Sequence, residues 1–301
     1  VLALPHHLHR PVAEEALSHG KHVFVEKPIA TSLDDADGLI HAAEEHDRVL
    51  MVGDSMQWRP SILSAKDCID RGDIGTPLYF AVNSCGIRSV SGWRAREDQM
   101  GGGIMIDVGV HYIRSLRLIM GEPDSVLATR AKQIQRNIAA EDSAHLLFTS
   151  KAGWEANMLF SWTCNAGNLP DIVVMGDEGT IHLWPARHYY DYYPKNPSFP
   201  ASLIRKVRPY WLQQKLWHPA MARERRWMNC ADQLGYISEM EAFVHAVATG
   251  RKSPIDPRES RRDLQIALSC HDSLQSGQKV PVPASGGIEN TRHLELKQSE
   301  R

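Results

Sequence analysis

Lys21-His22-Val23-Phe24-Val25 runs into Glu26-Lys27-Pro28, an apolar stretch closed by two charges and a proline. Consecutive β-branched and aromatic residues of this length make a short buried strand. Upstream, Val1-Leu2-Ala3-Leu4 reads as another such strand, followed by a helix over 8–18 with Pro11 in its first turn and Gly20 just past its end, the usual asymmetry of helix termini. Downstream, Thr31 or Ser32 can cap a helix whose first turn carries Asp34 and Asp35, favourably placed for the helix dipole. Leu33, Ala36, Leu39, Ile40 and Ala43 recur there at helical spacing and supply its buried stripe. Residues 48–52 (RVLMV) form a third strand that ends at Gly53. Strands alternating with helices signal a parallel sheet flanked by helices. That sheet puts Glu26-Lys27-Pro28 at the carboxyl end of its strand, where open α/β sheets bind ligands.

Beyond Gly53 the rhythm changes. The pattern predicts a helix over 60–70 ending at Gly72, a long strand over 77–87, an irregular loop over 88–100, and Gly101-Gly102-Gly103 leading into a helix over 104–120. Strands follow over 125–134, 144–148, 155–163, 171–175 and 180–183, several joined by short polar or glycine-containing turns, so the sheet is largely antiparallel. Helices over 236–249 and 257–276 close this part before Val280-Pro281-Val282, and 284–301 is a polar tail. The expected fold is therefore α/β plus α+β: a partial parallel sheet over 1–53, then an α+β domain over 54–283 with a large, open, mostly antiparallel sheet. An insertion over 184–236 holds half of the aromatic rings, with Arg205, Lys206, Arg208, Arg223, Arg225 and Arg226 among them. A segment of this kind suits closure over a sugar or anion or packing at an interface, where Trp, Tyr and Arg are enriched.

At 301 residues the chain has room for two cores. Hydrophobic residues make up 43%, charged residues 23%, and the net charge is −2, which sets aside disordered and fibrous classes and the strong basic excess of nucleic-acid binders. Five cysteines, Cys68, Cys85, Cys164, Cys230 and Cys270, stand without a CxxC pair, the usage of a reducing compartment. No apolar run approaches the roughly 18 residues of a membrane span. A cytoplasmic location is the default expectation. The abrupt, strand-like start at Val1 leads us to expect that residues precede it.

Two segments carry chemistry. Lys27, directed by Pro28, can hydrogen-bond a substrate hydroxyl or a cofactor amide; on the tripeptide alone, a surface lysine beside a turn proline is the plainer reading. In Gly101-Gly102-Gly103-Ile104-Met105-Ile106-Asp107-Val108-Gly109-Val110-His111, Asp107 and His111 are four apart and on a helix would be neighbours. A carboxylate beside an imidazole orients it as a general base, although an incidental pair at a helix start fits equally. His6-His7-Leu8-His9 has no Cys or carboxylate cluster beside it, so no metal site is expected.

The order of Pro5-His6-His7-Leu8-His9, Glu26-Lys27-Pro28, Arg59-Pro60, Gly72-Asp73-Ile74-Gly75, Trp93, and the triple glycine followed by Asp107 and His111 resembles the Gfo/Idh/MocA family of NAD(P)-dependent oxidoreductases over about residues 1–283. The resemblance implies Lys27, Asp107 and His111 as the catalytic set, and Pro5, His6, Glu26 and Lys27 at the nicotinamide of NAD or NADP. It assigns Arg59 and Trp93 to the substrate, and it matches His9 to the histidine usually found a few residues into the following helix, with a plain helix-start residue as the equal alternative. It also implies oxidation of a ring hydroxyl of a sugar, cyclitol or related polyol, and a homo-oligomer, dimer or tetramer, built on the large sheet. The family's GxGxxG fingerprint, which cradles the pyrophosphate, is absent. About two βαβ units, roughly 60–75 residues, are therefore expected to be missing. Two other outcomes remain within the resemblance: a glycosidase that uses NAD transiently, or a non-catalytic oligomerising protein.

Overall fold

A computed structural model describes residues 1–185, 187–195, 224–228 and 231–284. The first unit contains β1 (Val23–Glu26) and β2 (Leu50–Gly53), paired in parallel with Val23 opposite Leu50 and Glu26 opposite Gly53. Parallel neighbours need a crossover, here α2 (Leu33–Glu45). Ser32 caps α2 by accepting the Asp35 N–H at 3.1 Å, and the expected stripe, Ala36, Leu39, Ile40 and Ala43, is buried. α1 (His9–Ser18) packs against α2. The strand expected over 1–4 contracts to one parallel bridge, Leu2 to Val25, with Leu2 bonded to the Phe24 carbonyl and the Glu26 N–H at 2.8 and 2.9 Å.

After a tight turn over Ser55–Trp58, α3 (Pro60–Asp70) leads into β3 (Pro77–Cys85). α4 (Glu97–Met100) is a single turn ending at Gly101, and α5 is Val110–Met120. The sheet continues with β4 (Ser125–Thr129), β5 (Ser143–Thr149), β6 (Glu155–Ser161), β7 (Ile172–Gly176) and β8 (Gly179–Leu183). β9 (Tyr189–Pro194), β10 (Glu224–Trp227) and β11 (Val280–Pro281) complete it. The order β10-β9-β8-β7-β3-β6-β5-β4-β11 is antiparallel except at β3–β6. Alternation through the middle of β5 and β6 turns one face onto helices, and Tyr79, Leu147, Leu159 and Met175 are exposed on the strands. Two further helices, α6 (Tyr236–Thr249) and α7 (Pro257–Ser276), follow.

The expected antiparallel sheet is thus present, with shorter strands: the predicted 77–87, 125–134 and 155–163 stop at Cys85, Thr129 and Ser161. Residues 189–194 and 224–227, read as part of an irregular insertion, extend the sheet instead. Asp191 holds Arg225 at 2.9 Å across the β9–β10 pair, and Arg226 reaches Asp73 at 2.9 Å, so Arg226 pins the sheet's end to the turn after α3. Phe199, Tyr210, Trp211, Trp217, Arg205, Lys206, Arg208, Arg223, Cys230 and the tail beyond 284 lie outside the described residues.

One continuous apolar core runs from β1 and α2 through α3 and α5 to the large sheet. A smaller one, Phe24, Met51, Trp58, Phe243, Ala246 and Ile255, forms where α6 covers the other side of β1 and β2. The two strands are therefore buried on both faces, as parallel strands usually are. No helix among the described residues is long and apolar enough to cross a membrane.

Candidate active site

The carboxyl ends of β1 and β2 face the start of α5, and the expected residues gather there. Lys27 follows β1 directly; its backbone N–H donates to the Gly53 carbonyl at 3.1 Å, and the Lys27–Pro28 peptide is cis. Its ammonium Nζ donates to the backbone carbonyl of Asp107 at 2.5 Å and stands 3.5 Å from the Asp107 carboxylate. The structure thus pairs Lys27 with Asp107 directly.

The helix expected over 104–120 is not uniform. Residues Met105–Gly109 form a wide π turn before α5, a geometry frequent at functional sites. Its entry is built on Glu141, which the sequence reading did not single out. The Glu141 backbone carbonyl accepts the Ile104 N–H at 3.0 Å, and its side chain accepts the Met105 N–H at 3.0 Å. Gly103 makes this approach possible, because a Cβ there would lie 2.2 Å from the Glu141 carbonyl oxygen. Gly101, at φ +82°, presses against Thr31 in the same manner. The glycines thus admit neighbouring protein.

The expected Asp107–His111 partnership is corrected. His111 Nδ1 pairs instead with Asp54 Oδ1 at 2.6 Å, and that oxygen also accepts the Met56 N–H at 3.1 Å. Asp54 is the residue immediately after β2, and its only sequence signal is an acidic group at a strand's carboxyl end. Burial pushes its carboxyl upward, but the charge and hydrogen bond of His111 outweigh this and leave it below the usual range. With Nδ1 donating to Asp54, the neutral imidazole carries its lone pair on Nε2 and is a base there.

Asp107 is buried, and burial raises its carboxyl; the charges of Lys27, Arg94 and Arg88 offset that and leave it below the usual range. Arg88 and Arg94 each stand 3.7 Å from its second oxygen. Pro5 begins the turn that carries His6. The His6 ring is bonded through Nδ1 to the Met100 carbonyl at 2.8 Å, and burial lowers it to about 4, so it is neutral at pH 7 with Nε2 unprotonated. Trp93 meets His6 edge-on at 4.7 Å and carries the Arg94 guanidinium at 4.3 Å. His9 is inside the fold, joined to the carbonyls of Pro28 and Leu4 at 2.8 and 3.0 Å. Arg59 caps α3 with its Nε buried and unpartnered.

Glu26 is half-buried and raised by burial, with Lys27, His111 and Asp54 around it. Behind Asp54 lies Glu239 of α6, 2% exposed, with Oε1 unpartnered. This donor set fits the nicotinamide end of a dinucleotide: a neutral His6 nitrogen and the Lys27 ammonium gather at the strand ends, where such rings bind. Residues 1–54 contain no glycine-rich turn for a pyrophosphate.

Residues 1–54 match the model of an oxidoreductase family with an NAD-binding Rossmann fold, and residues 62–182 match the GFO/IDH/MocA C-terminal domain. A D-apiose dehydrogenase of Rhizobium rhizogenes is 30% identical over 284 residues, which is 92% of this chain and 76% of that protein. A D-xylose 1-dehydrogenase [NADP(+)] of Haloarcula marismortui is 28% identical over 196 residues, 63% of this chain and 54% of the relative. The chain therefore spans about half to three quarters of the length of these relatives. Among solved structures, levoglucosan dehydrogenase in complex with NADH and levoglucosan superposes with a TM-score of 0.77 at 19% identity, over 94% of this chain and 79% of that one; this likeness shows the shared fold.

Proposed function

The chain belongs to the Gfo/Idh/MocA family of nicotinamide-dependent oxidoreductases, and from that premise we propose that it moves a hydride between a ring hydroxyl carbon of a sugar, cyclitol or related polyol and the nicotinamide of NAD or NADP. One observation carries the reading: Lys27, Asp107 and His111, with Asp54 behind the imidazole, meet at the strand ends.

The nicotinamide, when bound, supplies the acceptor for the hydride and both its electrons. The chain's own residues handle the proton and the charge. His111 Nε2 takes the hydroxyl proton as the carbon–oxygen double bond forms, and Asp54 stabilises the imidazolium that results. The Lys27 ammonium donates to the substrate oxygen and supports the negative charge that builds on it. Asp107 holds Lys27 in place through its carbonyl and carboxylate. Pro5, His6 and Glu26 line the nicotinamide side, and Arg59 and Trp93 the substrate side. The same reading includes a homo-oligomer formed through the open sheet face that carries Tyr79, Leu147, Leu159 and Met175.

The test is His111→Ala in the cofactor-loaded enzyme. Turnover falls by about 10²–10⁴, the usual contribution of a general base, while cofactor affinity is kept. Near-normal turnover would remove His111 from this role.

A further inference from the structure

We infer that the substrate carries an anionic group, a carboxylate or a phosphate, which Arg88 and Arg94 receive beside Asp107; the inference rests on the oxidoreductase reading above. The argument begins with an imbalance of charge and of hydrogen bonds. The single carboxylate of Asp107 faces three cations, Lys27, Arg94 and Arg88. Lys27 has the closer approach and the bond to the Asp107 carbonyl. The two guanidiniums stand 3.7 Å from one oxygen, too far for a hydrogen bond. Neither side chain makes any hydrogen bond among the described residues, and Arg94 Nε is closed off from solvent without a partner. Two forks of strong donors thus stand at one place, held by the Asp107 charge and, for Arg94, by the face of Trp93, with no hydrogen bond to either.

Arg88 also lines a cavity of about 450 Å³, with Ser84, Val108, Trp162 and Asp171 among its walls. Asp171, on the cavity wall, feels Arg187 and Arg59, and Arg59 has a buried, unpartnered Nε of its own. Three cations therefore face Asp107, and the charges of Arg187 and Arg59 act on Asp171. The nearby carboxylates Glu26 and Asp54 are on the reacting side, where Asp54 is taken by His111. A neutral polyol offers hydroxyl oxygens to these arginines but leaves the excess charge uncompensated. A carboxylate accepts two parallel bonds from one fork, a phosphate can accept from both, and either supplies the missing charge.

The experiment uses matched triples: a neutral aldohexose, its uronate and its 6-phosphate, for example D-glucose, D-glucuronate and D-glucose 6-phosphate. Oxidation by the cofactor-loaded enzyme is followed as reduced nicotinamide, and binding to the same protein by calorimetry. In at least one triple, a charged member has kcat/KM and affinity at least tenfold above the neutral one; whether uronate or phosphate leads identifies the source of the charge. The ratio collapses toward one in Arg88→Met and Arg94→Met and is partly restored in Arg88→Lys. Because each ratio is internal to one protein preparation, partial misfolding lowers both rates and leaves it unchanged. A neutral sugar oxidised as well as its charged partners in every triple would overturn the inference and leave the oxidoreductase reading standing. Failure to oxidise any member would overturn that reading. The calorimetric ratio then judges the arginines separately: tenfold tighter charged binding supports them, and equal binding overturns the inference.

Discussion

Asp54 illustrates how one residue can decide a site's chemistry without touching the reacting atoms. An imidazole free to choose its tautomer puts the proton on the wrong nitrogen part of the time, whereas a buried carboxylate on Nδ1 leaves Nε2 as the base. Asp54 can do this because it is 5% exposed and its other demands are met locally by the Met56 N–H. Asp54→Asn keeps the volume and removes the charge that supports the imidazolium. We expect kcat to fall by about 10²-fold or more, with cofactor affinity and thermal stability close to those of the parent; steady-state kinetics and a melting curve check both. An unchanged kcat would make Asp54 a turn residue only. Arg114, one turn beyond His111, strengthens the arrangement. It donates to Gln57 at 2.9 Å and to Glu259 at 2.7 Å, which ties α5 to the turn that holds Asp54.

Among the elements, the π turn over Met105–Gly109 turns a helix start into a site. Gly103→Ala places a methyl 2.2 Å from the Glu141 backbone oxygen, and backbone cannot swing away as a side chain can. We expect a loss of about 1–3 kcal/mol in denaturant unfolding together with lower activity, since Asp107 is carried by the same turn. Gly86→Ala, where nothing lies within 4 Å, stays within about 0.5 kcal/mol of the parent. If both variants unfold alike, Glu141 does not set the turn. The contrast also marks what was legible beforehand. β1, α2 and β2 could be read from periodicity and capping because their stability is local and amphipathic. Lys27 could be read because a charged residue closes an apolar strand. Asp54, Glu141, Arg88 and Arg94 could not, because their roles come from contacts across 36 to 57 positions or from a loop, which leave no local pattern. The Asp107–His111 expectation failed for a related reason: a spacing of four assumes regular α-helix, and the wide turn breaks that assumption.

At the scale of the whole molecule, the site lies where three bodies meet: the β1–β2 pair, α6 on its outer side, and the helices on the large sheet. Glu239 belongs to that junction. Burial, then the neighbouring charges of Asp54, Glu26 and Asp232, push its carboxyl up to about 8. Asp54 and Glu26 come from the strand ends and Asp232 from the turn before α6, while the cations near the site, Lys27 and Arg114, act on Glu26 and Asp54. The sign follows from linkage. A carboxyl raised above its unfolded value of about 4.5 is protonated in the fold at pH values where the unfolded chain has already released its proton. Its favourable state is therefore fully present below about pH 4.5, and stability is lost as pH rises toward 8. Glu239→Gln, neutral throughout, removes this loss. At pH 9 we expect the variant to melt several degrees above the parent, since each pKa unit is worth about 1.4 kcal/mol and each kcal/mol shifts Tm by about 2–4 °C at this size. At pH 5 the two should melt within about 2 °C of each other. A constant difference across this range would place the Glu239 carboxylate in water, and would remove it from the junction between α6 and the strand ends.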